Sequence, residues 1–333
     1  MDVEQEEMQF LGLFGILKQS INLIHTWRNI FTKITLALIL PLTFIFLAQI
    51  EITHLMLYRL LSNEAALYDF RIGSNKYEKL SDLITSELVE LLLFKLLYFT
   101  FLLVFSLLST SAVVYTVASA YTSRELSFIK VMKVVPKVWK RLMATFLCMF
   151  VAMFVYNFCF GLAVMLCDFL LGFSVTEIIV LSFLSILFFA GLVYMSVVWQ
   201  LASVVSVLED SYGLRAMVKS KNLLKGKLLA PSFIFLVLIL LAGALQFGFE
   251  LVVVHGEGMY GMVQRAGFGI LTLVLLLGLI LFWLVVQTVI YFVCKSYHHE
   301  NIDKSSLSDH LELYLGEYVP LKARDVQLEH FDV

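Results

Sequence analysis

LEDSYGLRAMVKSKNLLKGK, residues 208–227, leaves one long apolar run, turns, gathers Arg215, Lys219, Lys221, Lys225 and Lys227, and enters the next apolar run at Leu228. Two other stretches follow the same plan, one ahead of Ile34 and one between Tyr121 and Leu142. Basic residues beside apolar runs collect on one side of a bilayer. Three such segments predict three hairpins, six crossings and one shared basic side.

Composition agrees. Of 333 residues, 60% are hydrophobic and 15% charged, and the mean hydropathy is +0.90. A water-soluble domain of this length carries far more charge, so apolar side chains must face lipid as well as each other. Six runs reach the roughly 20 apolar residues that a helix needs to cross the hydrocarbon core. They are 34–57, 91–119, 142–171, 178–208, 228–254 and 268–294. Open strands would leave backbone groups unpaired in lipid, so the expected fold class is all-α, a polytopic membrane helix bundle. Pro41 is expected to kink the first span, whereas Pro231 stands in the first turn of the fifth, where proline is tolerated.

Residues 1–33 read as an acidic N-terminus followed by an amphipathic interfacial helix, 34–294 as the six-helix transmembrane domain, and 295–333 as a tail. The start MDVEQEEMQF is acidic, unlike a cleaved signal peptide, so the first span is expected to remain as a signal anchor. Between Phe10 and Lys33, Ile16, Leu23, Trp27 and Phe31 share one helical face, and Lys18, His25 and Lys33 the other, which suits the headgroup layer. Residues 58–90 form the one long connection on their side and are acidic; 173–177 is a tight turn and 255–267 is glycine-rich. Eighteen Lys and Arg fall on the side of 121–141 and 209–227, against Arg59, Arg71, Lys76, Lys79 and Arg265 opposite. That asymmetry predicts cytoplasmic N- and C-termini.

The exits of the three even-numbered spans can be written over one another as SAVVYTVASAY (111–121), ASVVSVLEDSY (202–212) and QTVIYFVCKSY (287–297). Val113, Val204 and Val289 align, as do Tyr115, Ser206 and Tyr291, and the final Tyr121, Tyr212 and Tyr297. A threefold repeat of hairpins is the reading this suggests.

The order Trp199-Gln200, Val207-Leu208-Glu209, Gly213, Ala216, Ser220, Leu224, Lys225-Gly226 resembles a plant family of six-span membrane proteins without an assigned function. The start running into MQFLG and the tail YLGEYVPLK (314–322) are similar to that family too. More distantly, the Glu, Gly, Ala, Ser and Gly pattern resembles the membrane domain attached to some bacterial glycerophosphodiester phosphodiesterases. Those enzymes carry catalysis in a separate soluble domain, and 333 residues of this pattern contain none. The resemblance implies a fold and endomembrane residence, and activity does not carry over from it; the expected location is the endomembrane system or the plasma membrane. Within the motif, Asp210 or Ser211 is expected to cap a short helix starting near Leu214, with Gly213 permitting the turn. Ala216 and Ser220 supply a small packing face, and Gly226 lets the chain stop and re-enter the membrane.

Polar groups inside the spans are the first place to look for function. Asn157, Gln200, Gln246 and Gln287 lie in spans three to six, and Ser109, Thr110, Ser111 and Thr116 in span two. A shared cavity would make them a transport path; otherwise they are interhelical hydrogen bonds worth roughly 0.6 kcal/mol each. Lys95, near its span's start, is expected to reach the interface. The seven histidines and four cysteines have no metal-ligand spacing, and Gly256, Gly258 and Gly261 do not lie between a strand and a helix as a phosphate loop would. Cys294 reads as a palmitoylation site or a lipid-facing thiol. No catalytic constellation, cofactor, metal or nucleic-acid partner is expected.

Within 128–142, Val131, Val135, Val138, Trp139 and Leu142 share one face while Lys130, Lys133, Lys137, Lys140 and Arg141 share the other, with Pro136 between. The segment is expected to lie on the leaflet with its cations towards anionic lipid or a partner. Tyr318 and Leu321 have the tyrosine-x-x-bulky form that cytoplasmic sorting adaptors read. The expected function is non-enzymatic organisation of lipid or partner proteins at the cytoplasmic face, the alternative a secondary transporter or channel for a small solute or ion.

Overall fold

Hydropathy marks where lipid can be, and helices need not stop there. In the computed structural model, which describes residues 9–68, 70, 74–122, 127–172 and 174–298, the helices overrun the apolar segments at both ends. They are α1 (Leu13–Thr26), α2 (Arg28–Leu67), α3 (Asn75–Tyr121), α4 (Phe128–Leu171), α5 (Val175–Leu208), α6 (Leu214–Leu223), α7 (Leu229–Val254) and α8 (Met262–Tyr297). No strand occurs among the described residues. Six of the helices, α2 to α5, α7 and α8, are long and apolar enough to cross a membrane. The 47 residues of α3 span about 70 Å at 1.5 Å per residue, against a hydrocarbon core of about 30 Å.

The stretch 58–90 is therefore mostly helix. Its acids and bases are good helix formers, and Asn63 on α2 donates to both carboxylate oxygens of Glu87 on α3, at 2.8 and 3.0 Å. Ser74 starts α3 by accepting the Tyr77 amide proton at 3.2 Å. Across the next turn, Ser174 and Glu177 form a reciprocal capping box at the head of α5. Near Pro41 the chain makes a π-helical turn over Thr35–Ile39, a wider turn that absorbs the proline's missing amide donor. The three hairpins α2–α3, α4–α5 and α7–α8 each pack as neighbouring pairs.

The main core lies at the basic end. Its centre is made by the last turns of α3, α5 and α8, which pack on one another and are buried on every side over Ser109–Tyr121, Leu201–Leu208 and Leu284–Cys294. Val113, Val204 and Val289 are all buried, as are Tyr115, Ser206 and Tyr291. The third aligned position differs: Tyr121 is buried and stacks on Phe292 at 4.8 Å, whereas Tyr212 and Tyr297 are exposed. Valine, alanine and serine dominate these segments because small and β-branched side chains let helix backbones approach closely. Around this centre α1 lays Ile16, Ser20 and Leu23 against α8, and α4 adds Val131, Val134, Val135, Val138 and Leu142.

The other end is built differently. Leu92, Leu96, Phe154, Phe158, Ile179 and Phe183 stand exposed on α3, α4 and α5. An apolar surface on this scale fits lipid and not water. A smaller core of Leu47, Ile50, Phe249, Val254 and Leu276 ties α2, α7 and α8 together there, without the α4–α5 hairpin. Lys95 turns inward on this side, donating to Gln49 Oε1 at 3.1 Å and Thr53 Oγ1 at 2.8 Å on α2. A neighbouring acceptor pair holds it across the hairpin in place of the interface expected from its position. Cys294, 1% exposed, faces protein and neither lipid nor solvent.

Candidate functional site

The loop from Glu209 to Lys227, which contains α6, is bolted to three helices, α4, α5 and α8. Burial of the Glu209 carboxylate works to raise its pKa, but hydrogen bonds from Lys219 and Tyr291 and the charge of Lys295 outweigh it and hold the group below its usual range. Tyr291 Oη donates to Oε1 at 2.6 Å, Lys295 Nζ lies 3.0 Å from the same oxygen, and Lys219 Nζ lies 2.5 Å from Oε2. The cluster joins α5, α6 and α8. Asp210 does not cap α6 as expected: it pairs with Arg141 of α4 at 2.9 Å. The helix starts instead after Gly213, whose φ of +63° only glycine adopts without strain.

The Gly213 amide donates to Thr145 Oγ1 on α4 at 2.8 Å, and the same hydroxyl lies 2.6 Å from Ser206 Oγ on α5. Ser220, fully buried, donates to the Val198 carbonyl at 2.7 Å, and Ala216 is buried beside it. At Gly226, φ is +86° and an added Cβ would lie 2.9 Å from the Tyr297 ring. Lys227 reaches the Gln9 carbonyl and sits 5.3 Å from the centre of the Tyr297 ring. Glu209, Gly213 and Ser220 of the motif thus act as struts between elements.

On the adjacent start of α4, Lys130, Lys133, Lys137, Trp139 and Lys140 are exposed, and Arg141, half-buried, holds Asp210. The helix continues through Pro136 into its span. Its valine face, expected to lie on lipid, packs into the bundle. A helical wheel shows that a face is apolar, not whether protein or lipid covers it.

Just beyond the packed end lies a cavity of about 330 Å³ bounded by α2, α3, α4, α5 and α8. Ser106, Ser109 and Thr110 of α3, Thr145 of α4, and Gln200 and Ser203 of α5 are its polar lining. Phe46, Phe146, Trp199 and Trp283 are its aromatic lining. No Asp, Glu, Lys, Arg or His reaches it.

Of the four intramembrane amides singled out in the sequence, the cavity takes in Gln200 alone. Asn157 is exposed on α4 and donates to its own helix at the Met153 carbonyl, 2.7 Å. Gln246 donates to Glu250, one turn further along α7, at 3.2 Å. Gln287 is 1% exposed, and neither of its amide atoms has a hydrogen-bond partner among the described residues. Tyr318 and Leu321 lie outside the described residues. Ser109 and Thr110 are legible as polar residues of a span. Ser106, Thr145 and Ser203 are not distinguished by any spacing, and the Glu209 cluster shows in advance only as one acid among cations. Among the described residues no three of His, Cys, Asp and Glu come together as a metal site would require.

The chain belongs to the family described as a domain of unknown function (DUF8558), whose model matches residues 1–331. No curated protein and no solved structure matches it.

Proposed function

We propose that this member of a family described only as a domain of unknown function is a non-catalytic membrane protein whose basic face gathers anionic lipid. The observation that carries the reading is the start of α4, where Val131, Val134, Val135, Val138 and Leu142 are buried in the bundle while Lys130, Lys133 and Lys140 stand exposed beside Trp139. The cations are fixed to a rigid core and joined directly to a span, so they stay at the rim of the bilayer. Each contributes on the order of 1 kcal/mol near an anionic surface at physiological salt. In this reading the basic end faces the cytoplasm, the hairpins form a threefold repeat, and the tail around Tyr318 and Leu321 offers an adaptor signal. Residence in a plant endomembrane or plasma membrane, and the distant likeness to the phosphodiesterase membrane domain, rest on the sequence motif. A solute path would need Asn157, Gln200, Gln246 and Gln287 along one passage, and their separate settings favour the lipid-organising reading.

The test is lipid recovered with purified protein. Wild type reconstituted from mixed phosphatidylcholine and phosphatidylserine is expected to be enriched in phosphatidylserine. Lys130→Gln, Lys133→Gln and Lys140→Gln combined should lose most of that enrichment with melting unchanged, since Arg141 keeps its bond to Asp210. Equal enrichment in both proteins would end the proposal.

A further inference from the structure

We infer that the cavity between α2, α3, α4, α5 and α8 is a binding site for a neutral amphiphile, an apolar body carrying one hydroxyl or carbonyl group. Its volume of about 330 Å³ lies within the roughly 300–1,000 Å³ of small-molecule sites. A bridging water occupies only about 30 Å³.

The unspent hydrogen bonds point to the ligand's chemistry. Hydroxyls on apolar helices ordinarily return their proton to a carbonyl one turn back. This protein follows that habit at Thr43, Thr100, Thr116, Ser182, Thr272 and Thr288, with distances of 2.7 to 3.0 Å. On the cavity wall Ser203 and Thr145 keep it, at 2.7 and 3.2 Å, but on the α3 side it fails. Ser106, Ser109 and Thr110 share one face of α3, and none of their hydroxyls has a hydrogen-bond partner among the described residues, nor does the Gln200 side-chain amide. Ser109 is fully buried. Gln287, likewise without a partner, lies one turn beyond Trp283 and Leu284, which line the cavity on α8. Buried polar groups without partners are rare in folded proteins, and several on one cavity wall call for a bound group to complete them.

Hydroxyls and an amide can each donate and accept, so they match a hydroxyl or a carbonyl equally. With no charged residue on the wall, a carboxylate, phosphate or ammonium would be buried without a counter-charge. The ligand is therefore neutral at this end. Its remainder meets Leu42, Phe46, Leu102, Phe146, Ile280 and Trp283, an apolar and aromatic surface. The site stands apart from the basic face, and its occupancy is independent of anionic lipid.

The test uses the full chain in phosphatidylcholine nanodiscs and a long-chain fatty alcohol bearing a diazirine and an alkyne. Photolabelling followed by peptide mapping is expected to mark cavity-lining residues of α3 and α5, with unlabelled alcohol competing and the corresponding fatty acid competing at least about tenfold less well, because its carboxylate would be buried without a counter-charge. Ser106→Phe fills the space and should remove the cavity label. Ser109→Ala with Gln200→Leu adds no bulk and should weaken it about tenfold by removing the polar contacts. Both variants are scored only at unchanged melting temperature; if Ser106→Phe does not fold, the double variant decides. Cavity labelling that persists at wild-type level in the folded variant, equal competition by the fatty acid, or label confined to lipid-facing residues such as Phe154 would overturn the assignment.

Discussion

The two ends of the bundle use the same apolar vocabulary for different tasks. At the basic end α3, α5 and α8 are buried all round, and most of their residues are Val, Ala, Ser and Thr, with bonds crossing from helix to helix at Thr145, Ser206, Ser220 and Glu209. At the opposite end α3, α4 and α5 show Leu, Phe and Ile outward, and Thr100, Asn157 and Ser182 bond back to their own helices. Lipid tails are as apolar as leucine, so no solvent drives helices together within the core of a membrane. Packing of small side chains and fixed polar bonds must supply the association, and here they are concentrated in one half. The other half is held by hairpin contacts and the smaller core between α2, α7 and α8, and presents the rest of its surface to lipid.

Paired substitutions probe that division. Phe235, fully buried against the core, should cost about 3 kcal/mol when changed to Ala, from lost packing and the cavity left behind. Phe154→Ala, on the exposed face of α4, should stay within about 0.5 kcal/mol. Reversible unfolding in mixed micelles measures both, and equal effects would erase the distinction between the halves.

Next in size is Glu209→Gln, which strands Lys219 and Lys295 in a partly buried setting. A loss of about 2–3 kcal/mol is expected, less than for a fully buried pair because Lys219 remains about a third exposed. Glu87→Gln, its counterpart at the other end, loses one half-exposed bond to Asn63 and should cost under about 1 kcal/mol. The folded Glu209 carboxyl titrates below its usual value, so its contribution is complete above the ordinary carboxylate range and is lost as pH falls through the lowered value. Wild-type melting should therefore drop on acidification, and the Gln variant should show a flatter profile.

The smallest pair differs in sign. Gly226→Ala must enter a left-handed conformation against the Tyr297 ring, with an expected cost of about 1–2 kcal/mol. Gly267→Ala, inside α8 with open space around it, should stabilise by about 0.5–1 kcal/mol. Thermal melting of the two variants in one detergent reads the signs directly.

Much of this architecture is legible in residue order. Six apolar runs and the basic segments between them are local signals, and the structure carries six helices of membrane length at those places. The positions of Gly213, Ala216, Ser220 and Gly226 could be assigned structural roles because turn conformation and side-chain size are local properties. Helix ends at Leu67, Asn75 and Phe128 were not readable from hydropathy, since charged helix formers continue a helix past the point where lipid must stop. Nor could a wheel decide what covers Val131 and Val138. The contrast of Val and Ala with Leu and Phe was available for that purpose and marks the packed half. The cavity is harder to foresee, because Ser106, Thr145 and Ser203 converge from three helices and only packing brings them together.

The division itself is tested most directly by photolabelling the unmodified protein in bilayers with a small lipid-soluble diazirine and mapping adducts along α3. The account predicts strong labelling at Leu92, Leu93, Leu96 and Leu97, and none on any face of the helix from Ala112 to Ala120. Adducts recurring every three or four residues through Ala112 to Ala120 would place lipid against that helix and contradict a protein-packed basic end.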